Sequence, residues 1–134
     1  MKSKNIIAID AMGGDKGPTA VLGGIRIAKE RFPGFSFLIF GDETICGPLM
    51  ARPDGPSLGA TIIHTDEVIS ADAKPSVALR RGRSSSMGLA IDAVARGQAD
   101  AVVSAGNTGA LMAMSKVFLK TLPGINRPAI AGLI

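Results

Sequence analysis

Apolar residues fall along this chain in short unbroken runs, each followed by a stretch with helical spacing. Residues 5–10 carry Ile6-Ile7-Ala8-Ile9 and stop at the charged Asp10. A run without alternation marks a short strand buried on both faces. A glycine-rich loop from Ala11 to Gly17 follows, and Pro18 suits the first turn of a helix. That helix places Val21, Leu22, Ile25 and Ala28 at helical spacing up to Arg31, and Pro33-Gly34 breaks it. Residues 35–40 read as a second strand ending at Gly41-Asp42, and 43–52 as a short helix. After a surface loop at 52–56, residues 60–65 form a third strand, and 75–82 and 84–97 are helical with a break near Gly82. Residues 99–105 make a fourth strand; Asn107 caps a helix running to about Leu122, which Pro123-Gly124 terminates.

Strands that alternate with helices predict a three-layer α/β/α sandwich around a mostly parallel sheet. The 134 residues fit one domain. Residues 128–134 read as another buried strand, and the sequence stops inside it. The expectation is therefore a piece of a longer α/β domain, truncated at its C-terminus and inactive alone.

Charge changes the picture by its placement. Residues 1–72 carry seven Lys/Arg against nine Asp/Glu, a net of −2, while residues 73–134 carry eight against two, a net of +6. A basic half favours anionic partners such as phosphates or acidic proteins. Nucleic acid is disfavoured, because the chain has no Trp or Tyr, five Phe and no dense Lys/Arg run. One cysteine, Cys46, excludes an internal disulfide, and with one histidine it cannot form a zinc cluster. Cys46 reads as a half-buried helical thiol and His64 as structural. The first apolar run is far too short for a signal peptide or a membrane span, so a cytoplasmic protein is expected.

Two segments share one geometry, a strand followed by a loop of glycines and small polar residues and then a helix. They are Asp10-Ala11-Met12-Gly13-Gly14-Asp15 and Ser104-Ala105-Gly106-Asn107-Thr108-Gly109-Ala110. In an open parallel sheet such loops converge beyond the carboxyl ends of the strands, where ligands bind. Glycines admit a ligand close to the backbone, and free N–H groups at a helix start favour an anion. The predicted phosphate or substrate site is Asp10, Gly13, Gly14, Asp15, Ser104, Gly106, Asn107, Thr108 and Gly109, with Asn107, Thr108 and Lys74 as catalytic candidates. A third feature, Lys74 to Met87, holds Arg80, Arg81, Arg83, Ser85 and Ser86 around a helix break. These read as contacts to phosphate or an acidic protein, with a Ser capping the next helix.

Other motifs are weaker. No P-loop is present, and no Gly-x-Gly-x-x-Gly follows the first strand. Asp42 ends the second strand, where a dinucleotide fold places its ribose acid, but it lies 28 residues past Gly14 rather than about 20. Gly55-Pro56-Ser57-Leu58-Gly59 matches a nucleophile elbow in letters only, since a strand and not a helix follows it.

Taken in order, Asp10 to Asp15, Lys74-Pro75 with Arg80 and Ser85-Ser86-Met87, Ala101 to Ala113, and Gly124-Ile125-Asn126-Arg127-Pro128-Ala129 resemble the PlsX-type phosphate acyltransferases, whose chains are much longer. The resemblance implies that residues 1–134 are the N-terminal part of a single α/β domain, with a fold like that of phosphotransacetylases and isocitrate dehydrogenases. It implies transfer of an acyl group from acyl carrier protein to inorganic phosphate, giving acyl phosphate for phospholipid synthesis. It also implies a homodimer acting peripherally at the membrane surface, with no cofactor or metal. Two alternatives stay open: an NAD-dependent dehydrogenase using Asp42, and a non-catalytic module that docks acyl carrier protein through its basic half.

Overall fold

The computed structural model describes residues 5–55 and 59–134. It contains β1 (Asn5–Asp10), α1 (Gly17–Arg31), β2 (Phe35–Gly41), α2 (Glu43–Met50), β3 (Ala60–His64), α3 (Pro75–Arg81), α4 (Ser86–Ala95), β4 (Ala101–Ser104) and α5 (Thr108–Leu119). The strands form one parallel sheet in the order β3-β2-β1-β4. Pro56, Ser57 and Leu58, the centre of the elbow-like motif, lie outside the described residues.

The unbroken apolar runs have their explanation in the layers. Alternate residues of β1 serve opposite cores: Ile9 packs with Leu22 and Ile25 of α1, Phe37 and Ile39 of β2 and Cys46 of α2. Ala8 packs with Phe40 and with Ala90 and Ala93 of α4. A strand covered on both faces has no solvent side on which to place polar residues. Outside α4, Ala78 of α3 and Ala110 and Met114 of α5 close a third cluster with Met87 and Ile91. Ile39 and Ile91 are fully buried, and burial of such a side chain contributes about 1.5–3 kcal/mol.

Element ends depart from the sequence pattern where a cap decides them. The helical stretch at 75–97 breaks at Gly82, whose N–H bonds back to the Ala78 carbonyl. It restarts at Ser85, whose hydroxyl accepts from the Gly88 N–H at 3.0 Å and donates to the Gly82 carbonyl. α5 ends at Leu119, short of Leu122, because Lys120 turns to φ 64°. The largest correction concerns residues 128–134. They form no strand, and Ile130, Leu133 and Ile134 are exposed. An extended segment becomes a strand only when a neighbour supplies its ladder, and this one reaches neither open edge of the sheet.

Cys46 departs from the expected half-buried thiol, and His64 has the expected structural role. Cys46 is fully buried instead of half-buried, and burial, with the nearby Asp42 charge adding to it, pushes its thiol above the usual range. His64 does have a structural partner: its Nδ1 accepts from the Glu43 N–H at 3.1 Å, tying β3 to the start of α2.

Two outcomes follow for the folded protein. Ser85→Ala leaves a buried N–H and a buried carbonyl without their hydroxyl, and is expected to lower stability by about 1–2 kcal/mol, read from urea titrations. Cys46 should resist alkylation by iodoacetamide at pH 8 in the native protein and react promptly in denaturant, since the thiolate is the nucleophile.

Candidate functional site

The strand order places a crevice where the connections diverge. From β1 the chain moves through α1 to β2 on one side, while β4 flanks β1 on the other. Such a switch point is where open α/β sheets receive ligands, beyond the carboxyl ends of the strands. The first loop leaves β1 and the second leaves β4 at this crevice, because Asp10 and Ser104 are paired at the ends of their strands.

The two loops touch. A Cβ built on Gly13 would lie 2.8 Å from the Gly106 nitrogen and 2.8 Å from Asp10 Oδ2, so only glycine fits. Gly14 adopts φ 95°, a left-handed conformation that glycine takes without strain. Gly13, Gly14 and Asp15 from one loop and Gly106, Asn107 and Thr108 from the other line an open cleft of about 490 Å³. The first turn of α5 faces it. There Asn107 Oδ1 accepts from the Ala110 N–H at 3.0 Å, and the N–H groups of Thr108 and Gly109 have no intrahelical partner.

A third wall was not anticipated from sequence. Val68, Ile69, Ser70 and Ala71, in the loop after β3, also line the cleft. Asn107 holds this wall in place, its Nδ2 donating to the carbonyls of Ser70 at 3.2 Å and Ala73 at 2.8 Å. The signal was present in the parallel order itself, which brings the exit of β3 to the same end of the sheet. Ser70 donates to the Asp72 carboxylate, and this bond holds Asp72 below the usual carboxylate range.

The remaining expected site residues separate into groups. Asp10 and Ser104 sit beneath the cleft: Asp10 is 2% exposed, and its Oδ2 accepts from the Ser104 hydroxyl at 2.7 Å. Gly109 packs against Pro75, whose Cγ lies 3.3 Å from a Cβ placed there, and so Lys74 stands exposed beside the start of α5. Arg80 and Arg81 are exposed on the last turn of α3, and among the described residues neither joins an ion pair. Arg83 stacks over the Phe118 ring at 4.7 Å. Ser85 and Ser86 depart from the expected surface role, since both are buried, at 2% and 1% exposure. Ser85 serves as the cap of α4, and the Ser86 N–H bonds to the Glu67 carbonyl.

Asp42, the residue on which a dinucleotide reading depends, caps α2. It accepts from the Thr44 N–H at 2.9 Å and the Thr44 hydroxyl at 2.7 Å, and these bonds hold its carboxylate below the ordinary range. No helix among the described residues is long and apolar enough to cross a membrane.

Comparison with known proteins identifies the family. A family model described as "Fatty acid synthesis protein" matches residues 6–134. The phosphate acyltransferase of Azorhizobium caulinodans is 62% identical over 128 residues, covering 95% of this chain and 36% of its own length. That of Rhodospirillum rubrum is 54% identical over 134 residues, covering 100% of this chain and 38% of its own. The chain thus spans less than two-fifths of the length of these curated relatives. A match that runs through both glycine loops and nearly every residue leaves one conclusion: the chain belongs to the PlsX family of phosphate acyltransferases.

Proposed function

We propose that this chain supplies the phosphate-binding end of an enzyme that moves a fatty acyl group from acyl carrier protein to inorganic phosphate, in phospholipid synthesis. The observation that carries the reading is the meeting of two glycine loops at the strand switch, under the first turn of α5. Backbone N–H groups at such a place attract an anion without any charged side chain.

The chemistry asks for little beyond this. Phosphate is already an anionic nucleophile at neutral pH, and the leaving thiol has a pKa of about 8.5. A phosphate oxygen attacks the thioester carbonyl carbon, and the carbonyl electrons move to oxygen. As they return, the C–S bond breaks and the carrier's thiolate leaves with its electron pair, to be protonated by water. The protein has to hold phosphate against the carbonyl and stabilise the transient oxyanion. The Thr108 hydroxyl and the free N–H groups at the start of α5 are donors at the cleft, and Lys74 adds a cation beside the start of α5. Asn107 acts indirectly, since its side chain is engaged by Ala110, Ser70 and Ala73.

Acyl carrier protein docks, in this reading, on the exposed Arg80 and Arg81, which belong to the half of the chain with a net charge of +6. The enzyme works in the cytoplasm as a homodimer touching the membrane surface. The exposed apolar Val117 and Leu119 on α5 suit a covering partner surface. The dehydrogenase reading loses support because the Asp42 carboxylate is engaged in capping α2.

Acyl phosphate formation by the intact enzyme tests the reading. Gly106→Val should abolish turnover, because its Cβ would already lie 3.0 Å from Met87 Cε and 3.2 Å from Ser104 Oγ, before the branch methyls are added. Full activity in that variant would remove the glycine loops from the mechanism. Reversing charge with Arg80→Glu or Arg81→Glu should raise KM for acyl carrier protein and slow association, most visibly at low salt. Unchanged kinetics at low ionic strength would assign these arginines to solvated surface.

A further inference from the structure

We propose that Asp10 is a positioning residue that acts through Ser104 on the phosphate site and does not itself contact phosphate. The inference rests on the acyl phosphate reading and sharpens it. Asp10 is the last residue of β1 and is 2% exposed. A carboxylate has only acceptors and a negative charge, so it repels phosphate unless a cation lies between them. Its two oxygens are engaged elsewhere: Oδ1 accepts from the Met12 N–H at 3.1 Å and Oδ2 from the Ser104 hydroxyl at 2.7 Å.

The direction of these bonds is the point. Ser104 has one hydroxyl hydrogen, and it is donated to Asp10 Oδ2. The lone pairs of Ser104 are then turned toward the second loop, where Oγ accepts from the Gly106 N–H at 3.1 Å. One carboxylate therefore ties both loops, through Met12 in the first and through Ser104 and Gly106 in the second. The contact of Gly13 with the Gly106 backbone fixes their separation. The N–H groups that follow in the chain, at Thr108 and Gly109, inherit this placement at the start of α5. Charge-assisted bonds of this kind are shorter and about twice as strong as neutral ones, which suits a link that must hold two glycine loops against their own freedom.

Asp10→Asn keeps the size and the Met12 bond but offers Ser104 an N–H in place of Oδ2. Ser104 must then accept from it, and its own proton turns away. Ser104→Ala breaks the same link from the other side. Both variants are made in the intact enzyme, with turnover kinetics, calorimetric titration of inorganic phosphate and thermal melts run in parallel. Each single variant should weaken phosphate affinity about ten- to a hundredfold, while KM for the acyl donor stays near the wild-type value. The double variant should be no worse than the poorer single one, because the residues act as one unit. Additive losses, equal effects on donor and phosphate, or wild-type phosphate affinity in Ser104→Ala would each overturn the proposal. Should Asp10→Asn fail to fold, Ser104→Ala alone decides by the same affinity measurement. A wild-type enzyme that binds phosphate but makes no acyl phosphate would refute the functional reading, and the binding data would still judge the link.

Discussion

The parallel pairing of β1 with β4 in the register Asp10 to Ser104 is the constraint on which the site depends. Side chains alternate between the faces of a sheet, so a slip by one residue would send Ser104 to the α1 face and part it from Asp10. The register is held at the other end of the pair as well. The Asp100 carboxylate accepts from the Ile6 N–H at 2.8 Å, and the Asp100 N–H returns a bond to the Ile6 carbonyl at 2.8 Å. With β4 fixed at both ends, the two glycine loops leave the sheet side by side. The cleft, the start of α5 and the wall supplied by the β3 exit loop all take their places from that alignment.

Most of the fold was legible because its signals are local. A strand buried on both faces shows as an unbroken run, as at Ile6-Ile7-Ala8-Ile9, and Pro18 and Asn107 mark helix starts by their own chemistry. Non-local facts were less legible. Nothing in the run at 128–134 says whether a partner strand lies beside it, and apolar composition alone suggested burial that did not follow. The face on which Asp10 lies follows from period-two alternation, but its bond to Ser104 spans 94 positions and needs the strand order to be seen. Serine is ambiguous in a similar way. Ser85 and Ser86 stand among four cations in sequence, yet the turn between α3 and α4 draws both inward, and the hydroxyl of Ser85 is used by the backbone.

The basic character of the second half also gains meaning from the fold. α3 packs beside α5, with Pro75 next to Gly109 in the first turn of α5, which begins at the cleft-lining Thr108. Arg80 lies five residues further along α3, about 8 Å at the α-helical rise. On the proposed reading, the surface that receives an acidic carrier and the pocket that receives phosphate would therefore lie close together. Arg83 is exposed as well, and it stacks on Phe118, joining the α3–α4 turn to α5. Such a contact contributes about 0.5–1 kcal/mol at an exposed site, enough to bias the seating of α5 but not to determine it.

A phosphate pocket made of backbone donors needs rigidity more than charge. Donor groups stabilise a developing oxyanion only if they already point at it, and loss of one such donor in an acyl-transfer site costs about 2.7–4 kcal/mol of barrier stabilisation. Glycine loops are the least rigid way to present N–H groups, since glycine loses the most conformational freedom on folding. This structure offsets that weakness with contacts that do not face the ligand. Gly13 is pressed against Gly106, Asn107 is anchored to Ser70 and Ala73, and Asp10 links the two loops through Ser104. The residues of the two loops are thus divided by role in the proposed site. There the glycines would admit the anion, and the polar side chains between them hold the glycines still.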